Sequence, residues 1–127
     1  FLGFVSGDEK ERVLREAWTF ALPSHQENFG VAVLEAVAAG LPVVISGEVQ
    51  LRSFVEAHGL GGVVDRSDPD RIADGLSAFL NDEERRHAVA ERGPSAVRDT
   101  FSIKRVGEQL RSMYEHALAT SAADASA

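Results

Sequence analysis

Short apolar runs alternate with helix-forming segments along the first two thirds of the chain, and this alternation restricts the fold more than any other feature. The apolar runs are the predicted strands, at residues 1–6, 18–22, 42–46 and 60–65. The segments between and after them are the predicted helices, at residues 8–17, 31–39, 48–59 and 68–82. Continuously apolar strands are typical of parallel sheets covered on both faces. The pattern therefore predicts an α/β fold: a Rossmann-like parallel sheet of about four strands with helices on both faces.

Local signals mark the ends of several predicted helices. Gly40 follows residues 31–39 as a C-terminal cap, and Asp68 precedes Pro69 as an N-cap. Large aromatic side chains in these elements are expected in the core, namely Trp18, Phe20, Phe54 and Phe79.

The last third of the chain is predicted to be helical. Residues 82–98 and 102–119 have helical patterns, and Ser102 is placed to cap the second helix. We expect residues 1–119 to form one domain, because no linker divides them. The small, weakly hydrophobic residues 120–127 are predicted to be a disordered tail.

Composition excludes several kinds of site and partner. The chain contains no cysteine, which rules out disulfides, thiolate zinc sites and a cysteine nucleophile, and its four histidines are scattered. No metal ion or cofactor is therefore expected. A net charge of -7 argues against nucleic acid or an anionic membrane as the main partner. No apolar run reaches the roughly 18 residues of a membrane span, so a cytoplasmic protein is predicted.

One carboxylate stands out in the predicted helix at residues 31–39, which is otherwise apolar nearly all round. Glu35 should therefore be buried on most sides, where an unpaired carboxylate costs several kcal/mol. Helical side chains tilt toward the N-terminus, so we expect Glu35 to lean toward the unpaired N–H groups of the first turn. Glu27 lies just before that turn, and Gly30 permits close approach of a phosphate.

Two carboxylates beside a phosphate site suit a ligand with a diol at each end and phosphates between them. This order of groups predicts a nucleotide sugar. The alternative is structural: Glu27 would interact with the helix dipole, and Glu35 would be a buried, backbone-bonded side chain. The spacing alone leaves both interpretations open.

The segment "ALPSHQENFGVAVLEAVAAGLPVVIS" resembles the signature of the family 4 glycosyltransferases of the two-domain GT-B fold, including two glutamates separated by seven residues. Similar flanking blocks are "FLGFVSGDEKERVLREAW", "GLGGVVDRSDPDRIADGLSAFLND" and "FSIKRVGEQLRSMYEHAL". The resemblance covers nearly the whole chain. It implies part of the C-terminal, nucleotide-sugar-binding domain of a retaining, metal-independent enzyme that transfers a hexose from a UDP- or GDP-sugar in polysaccharide biosynthesis.

The resemblance also implies roles for individual residues. Glu27 would be the catalytic-site residue that meets hydroxyls of the donor sugar, and Glu35 would hold the ribose diol. The residues that would face the sugar and the diphosphate are Asn28, Phe29, Gly30 and Val31.

Three nearby residues are further candidates for donor contacts. Ser24 either binds phosphate or caps the turn after Pro23. His25 either touches donor or acceptor or is a solvated loop residue. Gln50 lies where the family has a Gly-Gly loop, and it resembles a variant of that loop.

The chain departs from the family in what it lacks. Family members place an arginine and a lysine upstream, where they neutralise the departing diphosphate, and these 127 residues begin after that point. This segment alone is therefore expected to be inactive. The acceptor, a glycan or a lipid-linked sugar, would be bound by an N-terminal domain outside this chain, and the parent protein could lie at the inner membrane face.

The resemblance also leaves a gap in the sheet between "FLGFV" and "WTFAL". A longer parent polypeptide can fill it, "FLGFV" can move across to pair with "WTFAL", or another copy of the chain can associate with the exposed sheet edge.

Other functions remain open from the sequence. A GT-B sugar-nucleotide epimerase would also grip a nucleoside diphosphate, and a catalytically silent α/β module could bind a nucleotide or a partner protein. Gly59, Gly61 and Gly62 indicate a turn entering a strand rather than a dinucleotide fingerprint, because no helix follows directly. Arg85 and Arg86 are expected on a solvated helix face, with contact to an acceptor phosphate as the alternative.

Overall fold

The computed structural model describes residues 1–124, with side chains described for residues 1–118. The helices are α1 (Gly7–Glu16), α2 (Val31–Ala38), α3 (Arg52–His58), α4 (Pro69–Leu80), α5 (Glu83–Phe101) and α6 (Ile103–Asp124). The strands are β1 (Phe20–Leu22), β2 (Val43–Ser46) and β3 (Gly61–Val64). Strand and helix alternate from β1 to α4, which confirms the predicted α/β fold.

The three strands form one parallel sheet in the order β1-β2-β3. Ala21 is in register with Val44, and Val44 with Gly62. Every residue of the central strand β2 is buried, as expected for a strand covered on both faces. The loops that leave the carboxyl ends of the strands therefore meet at one edge of the sheet.

The predicted first strand is absent, so the described sheet has three strands rather than four. Residues 1–6 form no strand, and the side chains of Phe1 and Phe4 are almost fully exposed. Gly3 adopts a φ of 69°, which interrupts an extended backbone, and no neighbouring strand offers hydrogen bonds to this segment. "FLGFV" therefore does not move across to β1, whose outer edge is unpaired within the described residues.

The core lies between the sheet and the helices α2, α3 and α5. Phe79 is buried as predicted, whereas Phe20 and Phe54 pack half-buried at the core margin. Trp18 was predicted to be in the core and is not, because its side chain is 60% exposed. The Arg86 guanidinium lies 4.7 Å from the centre of its ring, and this cation–π contact replaces burial.

Helix α2 is less enclosed than its composition suggests. Val33, Ala36 and Val37 are buried, but the opposite face is exposed, and it comprises Val31, Ala32, Ala38 and Ala39. The prediction of burial on most sides was therefore wrong, because only one face of α2 contacts the core.

The C-terminal end of α2 was predicted correctly. Gly40 has a φ of 85°, and its amide donates to the carbonyl of Val37 over 2.9 Å. The amide of Leu41 donates to the carbonyl of Ala36 over 3.0 Å. These two bonds form a Schellman motif, in which the glycine after the helix adopts a left-handed conformation.

Two helix starts follow the predicted caps. The Asp68 carboxylate accepts hydrogen bonds from the amides of Asp70 and Arg71 at the start of α4. The Ser102 hydroxyl accepts one from the amide of Arg105 at the start of α6.

Three helix boundaries differ from the prediction. Helix α3 begins at Arg52, because residues 47–51 form a turn, and α5 extends to Phe101. Helix α6 continues to Asp124, since alanine-rich sequence favours a helix, so the predicted tail is wrong for residues 120–124. The rest of that predicted tail, residues 125–127, lies outside the described residues.

Candidate functional site

Loops from all three strands meet at the carboxyl edge of the sheet. Ser46, the last residue of β2, is fully buried, and its hydroxyl donates a 2.6 Å hydrogen bond to the carbonyl of Ser24 after β1. The Ser24 hydroxyl donates in turn to the carbonyl of Gln26 over 2.9 Å. Ser24 thus stabilises the turn after Pro23, which is the structural role that the sequence left open beside phosphate binding.

A polar cleft of about 540 Å³ opens beside this turn, and we call it the Glu27 cleft. It is lined by His25, Gln26, Glu27, Asn28 and Glu48. Glu27 is half-buried, and no described residue forms a hydrogen bond or an ion pair with its carboxylate. Both oxygens of this carboxylate can therefore accept hydrogen bonds from hydroxyl groups of a ligand.

Arg66, which the sequence analysis missed, connects the loops around the Glu27 cleft. Arg66 follows β3, and its Nε lies 3.2 Å from Glu48 Oε1. The two side chains form an ion pair, but Nε does not donate a hydrogen bond to this oxygen. Its Nη1 lies 3.2 Å from His25 Nε2. The available signal was a cation directly after a predicted strand, at the edge where ligands of parallel sheets bind.

Asp65 precedes Arg66 and shapes the same loop. Its Oδ1 accepts hydrogen bonds from the Ser67 hydroxyl (2.6 Å) and the Ser67 amide (2.9 Å). These two bonds, led by the hydroxyl, hold the pKa of the Asp65 carboxyl below its usual value, and the charge of Arg66 acts in the same direction. The loop therefore has a defined turn that presents Arg66 toward the cleft.

The N-terminus of α2 adjoins the loop that lines the cleft. Gly30 is the N-cap, is buried and has a φ of 82°, and no side chain caps the helix. The carbonyl of Gly30 accepts hydrogen bonds from the amides of Val33 and Leu34. First-turn amides without a side-chain cap remain able to donate to an anion.

Neighbouring side chains fix the position of Gly30. A Cβ at Gly30 would lie 3.3 Å from Val49 and 3.5 Å from Leu51, both buried in the turn after β2. Phe29 contacts Phe101 of α5 edge to face, with 5.8 Å between the ring centres. Gln50 is exposed in the same turn as Val49 and does not line the Glu27 cleft.

Glu35 lies in a different groove from Glu27. Its Oε1 is 2.7 Å from Lys10 Nζ, and the two side chains are 40% and 38% exposed. This Glu35 groove, between α1 and α2, is lined by Lys10, Glu11, Leu14, Arg15, Glu35, Ala38 and Ala39. Glu35 is therefore not buried. Its partner is Lys10, whereas the sequence predicted that the first-turn amides of α2 would be its partners.

The remaining candidates have structural roles. Arg86 donates to the carbonyls of Phe79 and Leu80, and the Arg85 guanidinium lies 4.5 Å from the centre of the Phe79 ring. Gly59 ends α3 with a φ of 58°, and Gly61 and Gly62 belong to β3, which confirms the predicted turn entering a strand.

Metal clusters and membrane-spanning helices are both absent from the described part of the chain. Within residues 1–118, no three histidine, aspartate or glutamate side chains are grouped closely enough to bind a metal ion. None of the helices in the described part of the chain has the length and apolar character needed to cross a membrane.

Comparison with known proteins identifies the family. The family model described as glycosyl transferases group 1 matches residues 1–96. The chain belongs to this family. The match includes the loop that lines the Glu27 cleft, all of α2 and the whole sheet.

Relatives of this chain are considerably longer. It is 33% identical over 119 residues to an uncharacterised glycosyltransferase, MJ1607, of Methanocaldococcus jannaschii, covering 93% of this chain and 30% of that protein. It is 37% identical over 115 residues to a D-inositol 3-phosphate glycosyltransferase of Corynebacterium jeikeium, covering 91% and 27%. The chain thus spans less than a third of the length of either relative.

A solved structure agrees with the fold of this chain. The C-terminal domain of a glycosyl transferase group 1 family protein, LpcC, from Francisella tularensis matches with a TM-score of 0.69 at 25% identity. The match covers 81% of this chain and 53% of that one. The three-stranded sheet and its helices therefore have the architecture of a GT-B C-terminal domain.

Proposed function

We propose that this chain is the donor-binding part of a retaining glycosyltransferase that transfers a hexose from a nucleoside diphosphate sugar to a glycan or a lipid-linked acceptor. Membership of the glycosyl transferases group 1 family supports glycosyl transfer. The Corynebacterium relative is named a D-inositol 3-phosphate glycosyltransferase, and this name supports transfer to a hydroxyl group of an acceptor. Acceptor binding would belong to polypeptide beyond this chain.

One observation carries the proposal: a polar cleft with an unpaired carboxylate adjoins an uncapped helix N-terminus at the carboxyl edge of a parallel sheet. In this proposal the diphosphate binds the first-turn amides of α2, which no side chain caps. Glu27 accepts hydrogen bonds from sugar hydroxyls, and Asn28, Phe29 and Val31 provide the adjoining backbone.

Glu35 has a conditional role in this proposal. Each oxygen of its carboxylate accepts a hydrogen bond from one ribose hydroxyl. Lys10 either keeps its contact with the carboxylate or moves aside. The pair is about 40% exposed on each side, so its separation costs only about 0–1 kcal/mol. Hydrogen bonds to a charged carboxylate contribute about 1.5–3 kcal/mol each, which exceeds that cost.

The charge of the Glu27 cleft limits what the chain can do alone. Its lining includes the carboxylates of Glu27 and Glu48, and the nearby cation Arg66 is paired with Glu48. A departing diphosphate would therefore meet little positive charge here beyond the α2 N-terminus. We expect this chain to bind the donor and not to transfer the sugar by itself, with no metal ion involved.

A nucleotide titration tests the proposal. Backbone amide resonances of the chain are followed while UDP, GDP, ADP and their glucose or mannose conjugates are added. At least one conjugate should shift the amide resonances of residues 24–33, and its Kd for the chain should be in the millimolar range or below. The proposal fails if none of these ligands shifts those amides at about 10 mM.

Matched variants refine the same test. Glu27→Gln should reduce the advantage of the sugar conjugate over the free nucleotide about tenfold, because one charge-assisted hydrogen bond is lost. Glu56→Gln is the control, since Glu56 lies on α3 and pairs with Arg52 one turn away. Equal effects of the two substitutions would contradict the role of Glu27.

A further inference from the structure

The contact between Arg66 and His25 determines which nitrogen of the imidazole carries hydrogen. A guanidinium has donors only, so the 3.2 Å contact from Arg66 Nη1 requires His25 Nε2 to accept. The hydrogen of the neutral ring must then be on Nδ1. We propose that Arg66 is a positioning residue that holds His25 as the Nδ1–H tautomer, so that His25 donates to a sugar hydroxyl of the donor in the Glu27 cleft. This inference rests on the proposed function.

Arg66 is itself restrained, which allows it to select a tautomer. Its side chain is only 26% exposed, and its Nε is buried beside Glu48 Oε1. The turn that contains Arg66 is fixed by the two hydrogen bonds from Ser67 to Asp65. The guanidinium is therefore held from both ends, by the turn after β3 and by the carboxylate after β2.

His25 is placed to use the hydrogen that this contact assigns to Nδ1. The ring lines the Glu27 cleft, and no described residue hydrogen-bonds to its Nδ1. The backbone of this loop is tied to the sheet through the bond from Ser46 to Ser24. Two residues further on, Glu27 offers only acceptors.

The two side chains together define a chemical preference. A hydroxyl group can donate to Glu27 and accept from His25 at the same time, whereas a methylene or a methyl group can do neither. A carboxylate substituent would be repelled by Glu27 and Glu48. The cleft should therefore favour neutral hexoses with a hydroxyl at the contacted carbon over deoxy sugars and uronic acids.

A spectroscopic measurement tests the tautomer without any ligand. Imidazole nitrogen shifts are recorded in the ¹⁵N-labelled chain at about pH 8.5, where histidine side chains are generally neutral. His25 should carry its hydrogen on Nδ1 in the wild type and change toward the Nε2–H form in Arg66→Met. His58 is an internal reference, because its Nδ1 lies 3.0 Å from the carbonyl of Phe54 and must donate to it. Arg71→Met, an equal charge change on the exposed face of α4, should alter nothing.

Two results of that measurement overturn the inference. One is an Nε2–H form of His25 in the wild-type chain, and the other is an unchanged tautomer in Arg66→Met. Dispersed amide resonances in the variant check its fold, and Arg66→Lys, whose ammonium also has donors only, should retain part of the Nδ1–H form.

A binding measurement separates positioning from structure. Arg66→Met and His25→Ala should each weaken the sugar conjugate about threefold to tenfold and leave the free nucleotide unchanged, as expected for one lost hydrogen bond. His25→Asn should retain affinity, because its amide nitrogen lies where Nδ1 does. If the tautomer changes as expected but the affinity for the conjugate does not, the contact is structural and the inference is wrong. If no nucleotide binds at all, the proposed function fails while the tautomer result still stands.

Discussion

Glu35 shows how a single polar residue in an apolar helix can be explained without burial. The side chain is 40% exposed and pairs with Lys10 over 2.7 Å. Because the pair is exposed, Glu35→Gln should lower the free energy of unfolding by no more than about 1 kcal/mol in urea denaturation. Lys10→Met should have a similar effect, since it removes the same pair. A loss of about 3 kcal/mol or more would indicate a buried, unsatisfied partner and would contradict this account.

Asp65 provides a pH-dependent prediction at the same scale. Hydrogen bonds from the Ser67 hydroxyl and amide lower the pKa of its carboxyl in the folded chain. A lowered folded pKa stabilises the fold above the unfolded value, and this contribution is lost as the pH falls through the folded pKa. Ser67→Ala should therefore raise the pKa of Asp65 toward its usual value, as measured by a carboxyl NMR titration. An unchanged titration would show that the hydroxyl bond is not the main cause.

The candidate site was predictable from the sequence only in part. The sequence placed the loop at residues 23–30 between a predicted strand and a predicted helix, because strand and helix signals are local and lie next to each other in the chain. The contacts of Arg66 with His25 and Glu48 join residues far apart in sequence, and no local pattern encodes them. The partner of Glu35 was missed for the same reason.

At the scale of elements, α2 and α5 pack closely because glycine lies at the contact, within α5 and just after the end of α2. A Cβ at Gly93 would lie 2.8 Å from the carbonyl oxygen of Val37, and one at Gly40 would lie 3.2 Å from the backbone of Ala90. The close approach buries Val37 and Val89 between the helices and the sheet. Glycine is therefore favoured at these two positions because the neighbouring backbone leaves little room for a Cβ, and not because of helix propensity.

A pair of alanine substitutions tests this. Gly93→Ala should destabilise the fold by about 1–3 kcal/mol, because the clash with backbone exceeds the gain in helix propensity. Gly107→Ala on α6 has nothing within 4 Å of the added Cβ, so it should raise helicity and add up to about 1 kcal/mol. Both are measured by thermal unfolding followed by circular dichroism. Stabilisation by both substitutions would show that α2 and α5 do not approach as described.

The elements that the sequence predicted well carry their own end signals, such as the Asp68 cap and the Schellman glycine at Gly40. The predicted strand at residues 1–6 failed because a strand needs a neighbour to bond with, and the described sheet offers none to this segment. Trp18 was misplaced because its apolar neighbours suggested burial, whereas a cation–π contact with Arg86 holds it at the surface.

At the scale of the whole molecule, the free outer edge of β1 is the most consequential feature. Its backbone groups are unpaired within the described sheet, and the chain spans less than a third of the relatives it matches. We expect the isolated chain to associate through this edge in a concentration-dependent way.

A charge on the edge strand tests this expectation. Ala21→Lys should weaken association severalfold in analytical ultracentrifugation, because lysine on an edge strand opposes pairing. Ala57→Lys, an equal change on the exposed face of α3, should have no effect. Association through the β1 edge would be contradicted by a chain that remains monomeric at all concentrations, or by equal effects of the two substitutions.

The central claim is that one nucleoside diphosphate sugar binds with its sugar in the Glu27 cleft, its diphosphate at the start of α2 and its ribose at Glu35. The most direct test compares a ribonucleoside diphosphate sugar with its 2′-deoxy form, in the wild-type chain and in Glu35→Gln. The wild type should prefer the ribo form by about tenfold or more, because the 2′-hydroxyl donates to a charged carboxylate, and the variant should lose that preference. The same preference in both proteins, or none in the wild type, would contradict the claim.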